Sequence, residues 1–140
     1  MTTSKSSTTG KGTKVKYPDL HKRTRSFARD TREFVRKTPR TIASLGDCRY
    51  LIKTSGAIGS SYIDADDANS GHEFMRSIFD CRKQSRLSSH WLSLLEGNLE
   101  ERSEEARAAL AKESEELERI FGAIIGKVVS KRKAANEEEK

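Results

Sequence analysis

The residues of this chain whose types could hold a metal or move a proton are three histidines, two cysteines and a short acidic cluster. His21, His72 and His90 never take the His-x-x-x-His spacing that puts two ligands on one helix face. His72-Glu73 also lacks the second histidine of a zinc protease motif. These positions predict packing roles instead, His72 in a helix N-terminus and His90 beside Trp91. Asp64, Asp66 and Asp67 begin like a calcium loop, but Ala68 stands where a ligand is needed and no glycine takes the sixth place. They read as an exposed helix end. Cys48 and Cys81 form neither a Cys-x-x-Cys pair nor a disulfide framework, which predicts a reducing compartment. No Gly-x-Ser-x-Gly elbow or Ser-x-x-Lys arrangement accompanies the serines, and Gly10-Lys-Gly12-Thr13 lacks the strand and helix of a P-loop. The expectation is a protein that is not an enzyme, with no metal, no cofactor and no small-molecule substrate.

Phosphate binding is the chemistry the sequence does favour. The net charge of +6 is partitioned: residues 19–40 hold eight basic and three acidic residues, whereas residues 96–118 hold three basic and nine acidic. Lys22, Arg25, Arg29, Arg32 and Arg36 step by 3, 4, 3 and 4, so on a helix they form one stripe. Each lies two residues from the apolar set Leu20, Phe27 and Phe34, and two residues are about 200° of helix rotation. The stripe therefore faces away from the core, as nucleic-acid binding through phosphates requires. The competing reading is a solvated face, or one paired with the acids at the start of the last helix, in the same subunit or a neighbour.

Small residues are the other signal. Gly56, Gly59 and Ser60 fall inside one helical stretch, and Gly122 and Gly126 lie four apart inside another. Each helix-interior glycine costs about 1 kcal/mol relative to alanine, so close packing is expected there, within a subunit or between subunits. A membrane dimer motif is excluded by Lys127 and by the shortness of the apolar run.

The elements that must position these residues are helices. Proline occurs only at 18 and 39, no hairpin dipeptide appears, and no strand-like alternation is sustained. Helix one is predicted from about Asp19 to Arg36, and helix two from near Pro39, with Thr38 as its cap, toward Asp67. Its apolar face is expected to be Ile42, Leu45, Cys48, Ile52, Ile58 and Tyr62. Ser70 and Glu73 have capping-box spacing and open helix three, whose seam runs Phe74, Ile78, Cys81, Ser85, Ser88, Leu92 and Leu95. Gly97-Asn98 ends it, and helix four runs to about Ser130 with the seam Ala106, Leu110, Glu113, Leu117, Ile120, Ile124 and Val128. Residues 1–17 read as a disordered basic tail, 18–131 as the helical domain and 132–140 as a charged tail. Four amphipathic helices with short connections predict an all-α, up-down four-helix bundle. Ile63, Met75, Phe79, Leu87, Trp91, Leu94, Phe121 and Ile125 lie outside the seams and predict a further apolar surface, hence a homo-oligomer.

Several segments in order carry a family resemblance: Asp19-Leu-His-Lys-Arg-Thr-Arg-Ser-Phe-Ala28, Ser55-Gly-Ala-Ile-Gly-Ser-Ser-Tyr-Ile-Asp-Ala65, Ser70 to Phe74, Cys81-Arg-Lys-Gln-Ser-Arg-Leu-Ser-Ser-His-Trp-Leu92, and Glu113-Ser-Glu-Glu-Leu-Glu-Arg-Ile120. Together they resemble the bacterial four helix bundle protein family, also called the large-subunit ribosomal RNA intervening-sequence protein family. The sequence departs from that pattern at Ser61-Tyr62-Ile63-Asp64, where Asn-Tyr-x-Glu is usual, and at Lys83 to Leu87, where Lys-Glu-Ala-x-Glu is usual. The resemblance implies left-handed bundles in a ring-like homopentamer. A related branch serves as an accessory to retroelement reverse transcriptases and binds nucleic acid. The resulting expectation is a cytoplasmic, non-enzymatic homo-oligomer that binds RNA or DNA through basic surface. Its alternative is a structural or protein-interaction module without nucleic-acid affinity.

Overall fold

A computed structural model describes residues 19–97 and 99–139, and the proposed tail 1–17 lies outside them. Four helices account for nearly all of the described chain: α1 (Leu20–Arg36), α2 (Ile42–Asp66), α3 (Gly71–Leu94) and α4 (Glu101–Glu139). No strand occurs among the described residues.

Side chains at the junctions define where each helix begins and ends. Asp19 caps α1, its carboxylate accepting the Lys22 N–H at 3.2 Å. Thr38, the expected cap of α2, instead turns inward, and its Oγ1 donates to the Phe34 carbonyl at 3.0 Å, closing α1. The α2 cap is Thr41, which exchanges hydrogen bonds with Ser44 in a reciprocal box at 2.9 and 3.0 Å. Ser70 caps α3 as expected, accepting the Glu73 N–H at 3.1 Å, while Glu73 reaches one residue further back, to the Asn69 N–H. Gly97 takes φ +108° in the turn that follows α3, a conformation that favours glycine. α4 continues nine residues beyond the predicted end at Ser130. No proline or glycine follows Gly126, and Ala134, Ala135 and the flanking Lys and Glu residues are strong helix formers.

Cross-helix contacts show that consecutive helices run antiparallel. Thr54 and Cys81 of facing helices bond Ser88 and the Ile58 carbonyl, so α2 numbers rise as α3 numbers fall. Ser89 meets Ser114 and Arg86 meets Glu118, which sets α3 against α4 in the same sense. Each helix packs on its neighbours in sequence, α4 closes back on α1, and the diagonal helices meet only through core side chains, as Tyr62 of α2 meets Phe121 of α4 at 5.9 Å. This is a four-helix bundle.

The core follows the predicted seam in α1 and α3. Leu20, Thr24, Phe27, Thr31 and Phe34 are buried, as are Ile78, Cys81, Ser85, Ser88, Leu92 and Leu95. The other two helices differ. In α2 the buried set is Cys48, Leu51, Thr54, Ser55, Ile58 and Ala65, whereas Ile42 is 94% exposed and Leu45 is also open to solvent. In α4 the buried set is Ser103, Arg107, Leu110, Ser114, Leu117, Ile120, Phe121 and Ile125: Leu110, Leu117 and Ile120 keep the predicted seam, and the other positions shift by one residue, so that Ala106 is exposed and Glu113 lies at the edge. Of the surplus apolar residues, Met75, Phe121 and Ile125 are buried, while Ile63, Phe79 and Leu94 remain exposed.

The core is unusually rich in hydroxyls. Most of them return a hydrogen bond to a carbonyl one turn back, as Thr24 does to Leu20 and Ser85 to Cys81. Thr54 and Ser88 bond each other between helices at 3.0 Å. The Thr31 Oγ1 is buried with no partner among the described residues.

Candidate nucleic-acid interface

The basic stripe of α1 lies where helix geometry puts it, on the side opposite Leu20, Phe27 and Phe34. Lys22, Arg25, Arg29 and Arg36 are exposed and Arg32 is half-buried. The five are not equivalent. Arg36 donates to Glu33 at 2.6 Å, and Lys37 approaches the same carboxylate. Arg32 folds back on its own helix, Nη1 donating to the Ala28 carbonyl at 3.0 Å, and its guanidinium lies over Gly56 of α2. The side chains of Lys22, Arg25 and Arg29 make no hydrogen bond or ion pair among the described residues. Three unneutralised cations along two turns form the strongest part of the stripe.

The arginines that grip a carboxylate with two hydrogen bonds are ones the stripe omits. Arg23 grips Glu113 of α4 with two hydrogen bonds, at 2.6 and 3.0 Å, and the Glu113 carboxylate raises the Arg23 pKa above its ordinary value. Arg107 is buried; it holds Glu104 with Nε and Nη2 and donates Nη1 to the Leu92 carbonyl. Its hydrogen bonds to Glu104 raise its pKa, and they lower that of Glu104. A carboxylate on a predicted seam is the available signal, since Glu113 half-buried requires a cation beside it. Glu100, Glu101 and Glu105 are exposed and have no cation of this chain on them among the described residues.

The small residues divide sharply. A Cβ on Gly59 would come within 3.1 Å of Thr24 Oγ1, so this glycine permits the close approach of α1 and α2. One on Gly56 would meet only the flexible end of Arg32, at 3.4 Å. Ser60 is exposed, its Oγ bonded to the Ala57 carbonyl. A Cβ on Gly122 or Gly126 would meet nothing within 4 Å. Packing inside this chain therefore accounts for Gly59 and leaves the α4 glycines without a partner surface.

The residues whose types suit metal chemistry are dispersed. His21 bonds Asp66 at the end of α2 and packs at a tilt against the Tyr62 ring, placing an imidazole against the negative end of that helix. His90 packs edge-on against Trp91, and His72 is exposed at the start of α3. Cys48 and Cys81 are buried on α2 and α3, and burial raises both thiol pKa values, that of Cys81 to about 12. No group of three or more His, Cys, Asp or Glu residues among those described could hold a metal ion. Among the described residues no helix is long and apolar enough to cross a membrane.

No protein-family model and no curated protein matches the chain. Among solved structures, it is similar to a protein of unknown function from the S23 ribosomal protein family of Bacteroides thetaiotaomicron. The TM-score is 0.63 at 18% identity, over 76% of this chain and 97% of that one. At this identity the likeness establishes the fold alone, and the shorter chain is matched almost end to end.

Proposed function

We propose that this protein is a non-enzymatic, homo-oligomeric bundle that binds nucleic acid, structured RNA or DNA, through the outer face of α1. The observation that carries the reading is the set Lys22, Arg25 and Arg29, exposed opposite the core and neutralised by no acid of the described chain. Cations with no acid of the chain on them are free to displace counterions from a phosphate backbone. Arg36 and Arg32 extend the track. The solved neighbour belongs to a family named for a ribosomal protein, which makes RNA the first ligand to test. The assembly in this reading is a closed ring of left-handed bundles, a homopentamer by the family resemblance, acting in a bacterial cytoplasm. Ile42, Leu45 and Leu94, exposed on α2 and α3, and the open Gly122 and Gly126 supply surface for it.

A second reading has its own support. Glu100, Glu101 and Glu105 offer a neighbouring copy an acidic face that the α1 cations could meet, giving a structural module instead. The triple variant Lys22→Glu, Arg25→Glu, Arg29→Glu separates the two. Nucleic-acid affinity should collapse while the sedimentation mass stays that of the wild type. For every phosphate interaction removed, the log–log salt slope on duplex DNA should flatten by about 0.9. A wild-type protein that binds neither RNA nor duplex DNA, together with a variant whose oligomer dissociates, would establish the structural module.

A further inference from the structure

A second charged stripe runs along α3, and unlike the first it contains rings. Arg76, Phe79, Lys83, Arg86 and His90 step by 3, 4, 3 and 4, and all lie on the outer side of the helix. Each precedes a buried core position by two residues: Ile78, Cys81, Ser85, Ser88 and Leu92. That offset is about 200° of rotation, the same relation that turns the α1 cations outward. The backbone of α3 lies beside those of α2 and α4 and diagonally across the core from α1, so the two outward stripes lie on opposite sides of the bundle.

Phe79, Arg82, Lys83, Arg86, Leu87 and His90 line an open groove of about 510 Å³. Phe79 is 48% exposed on it, although a phenylalanine of that size would ordinarily be drawn into a core. At the far end the rings continue: His90 meets Trp91 edge-on at 4.8 Å, and Trp91 stacks on Tyr50 of α2 at 4.7 Å and 11°. Tyr50 is 52% exposed, so this platform has an open face. Two acids bear on the stripe, Asp80 on the same helix and Glu118 at 3.4 Å from Arg86. Arg82 and Lys83 are paired with neither.

A cationic face holds the phosphate backbone, and open aromatic rings interleaved with the cations add a stacking platform for unpaired bases. We propose that the outer face of α3, from Phe79 to the Trp91–Tyr50 platform, binds single-stranded nucleic acid, its bases on the rings and its backbone on Arg82, Lys83 and Arg86. The proposal rests on the nucleic-acid reading above and adds to it a ligand class, strands with unpaired bases, for which the α1 stripe offers no stacking ring.

Trp91 is the only tryptophan of the chain, so its fluorescence reports on this face alone. Titration of the full chain with a 20-nucleotide oligopyrimidine should quench it, and the matching duplex should bind without doing so. Phe79→Ala and Tyr50→Ala, both at exposed positions, should weaken single-strand binding by about fivefold or more and leave duplex affinity unchanged. Lys83→Gln with Arg86→Gln should flatten the single-strand salt slope by about 0.7 for each phosphate released. Circular dichroism and sedimentation of each variant establish that fold and mass are retained. Unchanged single-strand affinity in these variants, or binding with no change in Trp91 emission, overturns the proposal while leaving the α1 reading intact. A fall in mass for Phe79→Ala overturns it in favour of a contact between copies. Loss of duplex binding in the α1 triple variant, with single-strand binding and quenching kept, upholds both; absence of any binding to either probe removes both.

Discussion

Arg23 and Glu113 are joined by two parallel hydrogen bonds, Nε to Oε2 and Nη2 to Oε1, and theirs is the one ion pair that ties α1 to α4 among the described residues. α1 is the shortest helix, and its packing on α4 is the sparsest of the four seams in the bundle. A planar guanidinium facing a carboxylate edge to edge fixes both distance and register, which a point-charge lysine would not. The pair thus closes the ring of helices where apolar contact is thinnest.

Replacing Arg23 by Met keeps the aliphatic stem and removes the fork. The fall in stability should be about 1 kcal/mol, since both side chains remain a quarter to a third exposed and solvent screens the pair. Thermal denaturation should show a midpoint lower by a few degrees, and Glu113→Gln in the same background should add little further. Full additivity of the two substitutions in a double-mutant cycle would show that the pair is uncoupled.

Thr31 is the converse case, a polar group that the fold buries and leaves unsatisfied. Thr31→Val keeps the branched shape on α1 and deletes the hydroxyl. A gain of about 1 kcal/mol is expected, read as a higher denaturation midpoint with an unchanged slope. A lower midpoint would mean that the hydroxyl has a partner after all, such as an ordered water.

A buried thiol and a half-buried phenol set the response to alkali. Burial is the first cause that raises Cys81 and Tyr62, each to about 12, from ordinary values of 9 and 10. In the unfolded chain they release their protons at those lower values, so unfolding releases protons once the pH exceeds about 9. Their contribution to stability is complete below pH 9 and declines as the pH rises toward 12. Denaturant midpoints measured between pH 8 and 11 should fall, and Tyr62→Phe with Cys81→Ala should flatten that fall. A flat wild-type profile would contradict the burial of these groups. At neutral pH the Cys81 thiol should also resist alkylation until the protein unfolds.

How far the fold is legible in the sequence depends on what each helix faces. α1 and α3 carry heptad-like seams of large and small residues, Leu20 to Phe34 and Ile78 to Leu95, and those seams are the buried faces. In α4 the buried stripe also passes through Ser103, Arg107 and Ser114, polar residues that apolar counting discards, and so the predicted seam holds at Leu110, Leu117 and Ile120 and is one residue off between them. Arg107 is tolerated there because Glu104, one turn back on α4, and the Leu92 carbonyl of α3 satisfy its guanidinium, and the second of these is set by another helix. Ile42 and Leu45 continue the apolar pattern of α2 past the point where neighbours remain to cover them. The α1 stripe is legible from spacing alone; the sorting of its members into paired and unpaired is not, because Glu33 and Ala28 decide it. The α3 stripe is hidden in the sequence because its cations alternate with rings that read as packing residues.

The glycines give a direct test of assembly against fold. Gly59→Ala sets about 1 kcal/mol of helix propensity against a contact at 3.1 Å with Thr24 Oγ1, whose β-branched side chain is held by its bond to the Leu20 carbonyl and has little room to give. Stability should therefore be unchanged or lower. At Gly122 and Gly126 nothing among the described residues resists a methyl group, so helix propensity acts alone and each Ala should stabilise the helix by about 1 kcal/mol. If these glycines seat a neighbouring copy, the added methyl groups hold the two backbones apart. The Gly122→Ala, Gly126→Ala double variant should then resist denaturation better as a protomer and sediment at lower mass. A mass equal to that of the wild type, with the gain in stability intact, would clear this face of α4 from the interface and leave Ile42, Leu45 and Leu94 to form it.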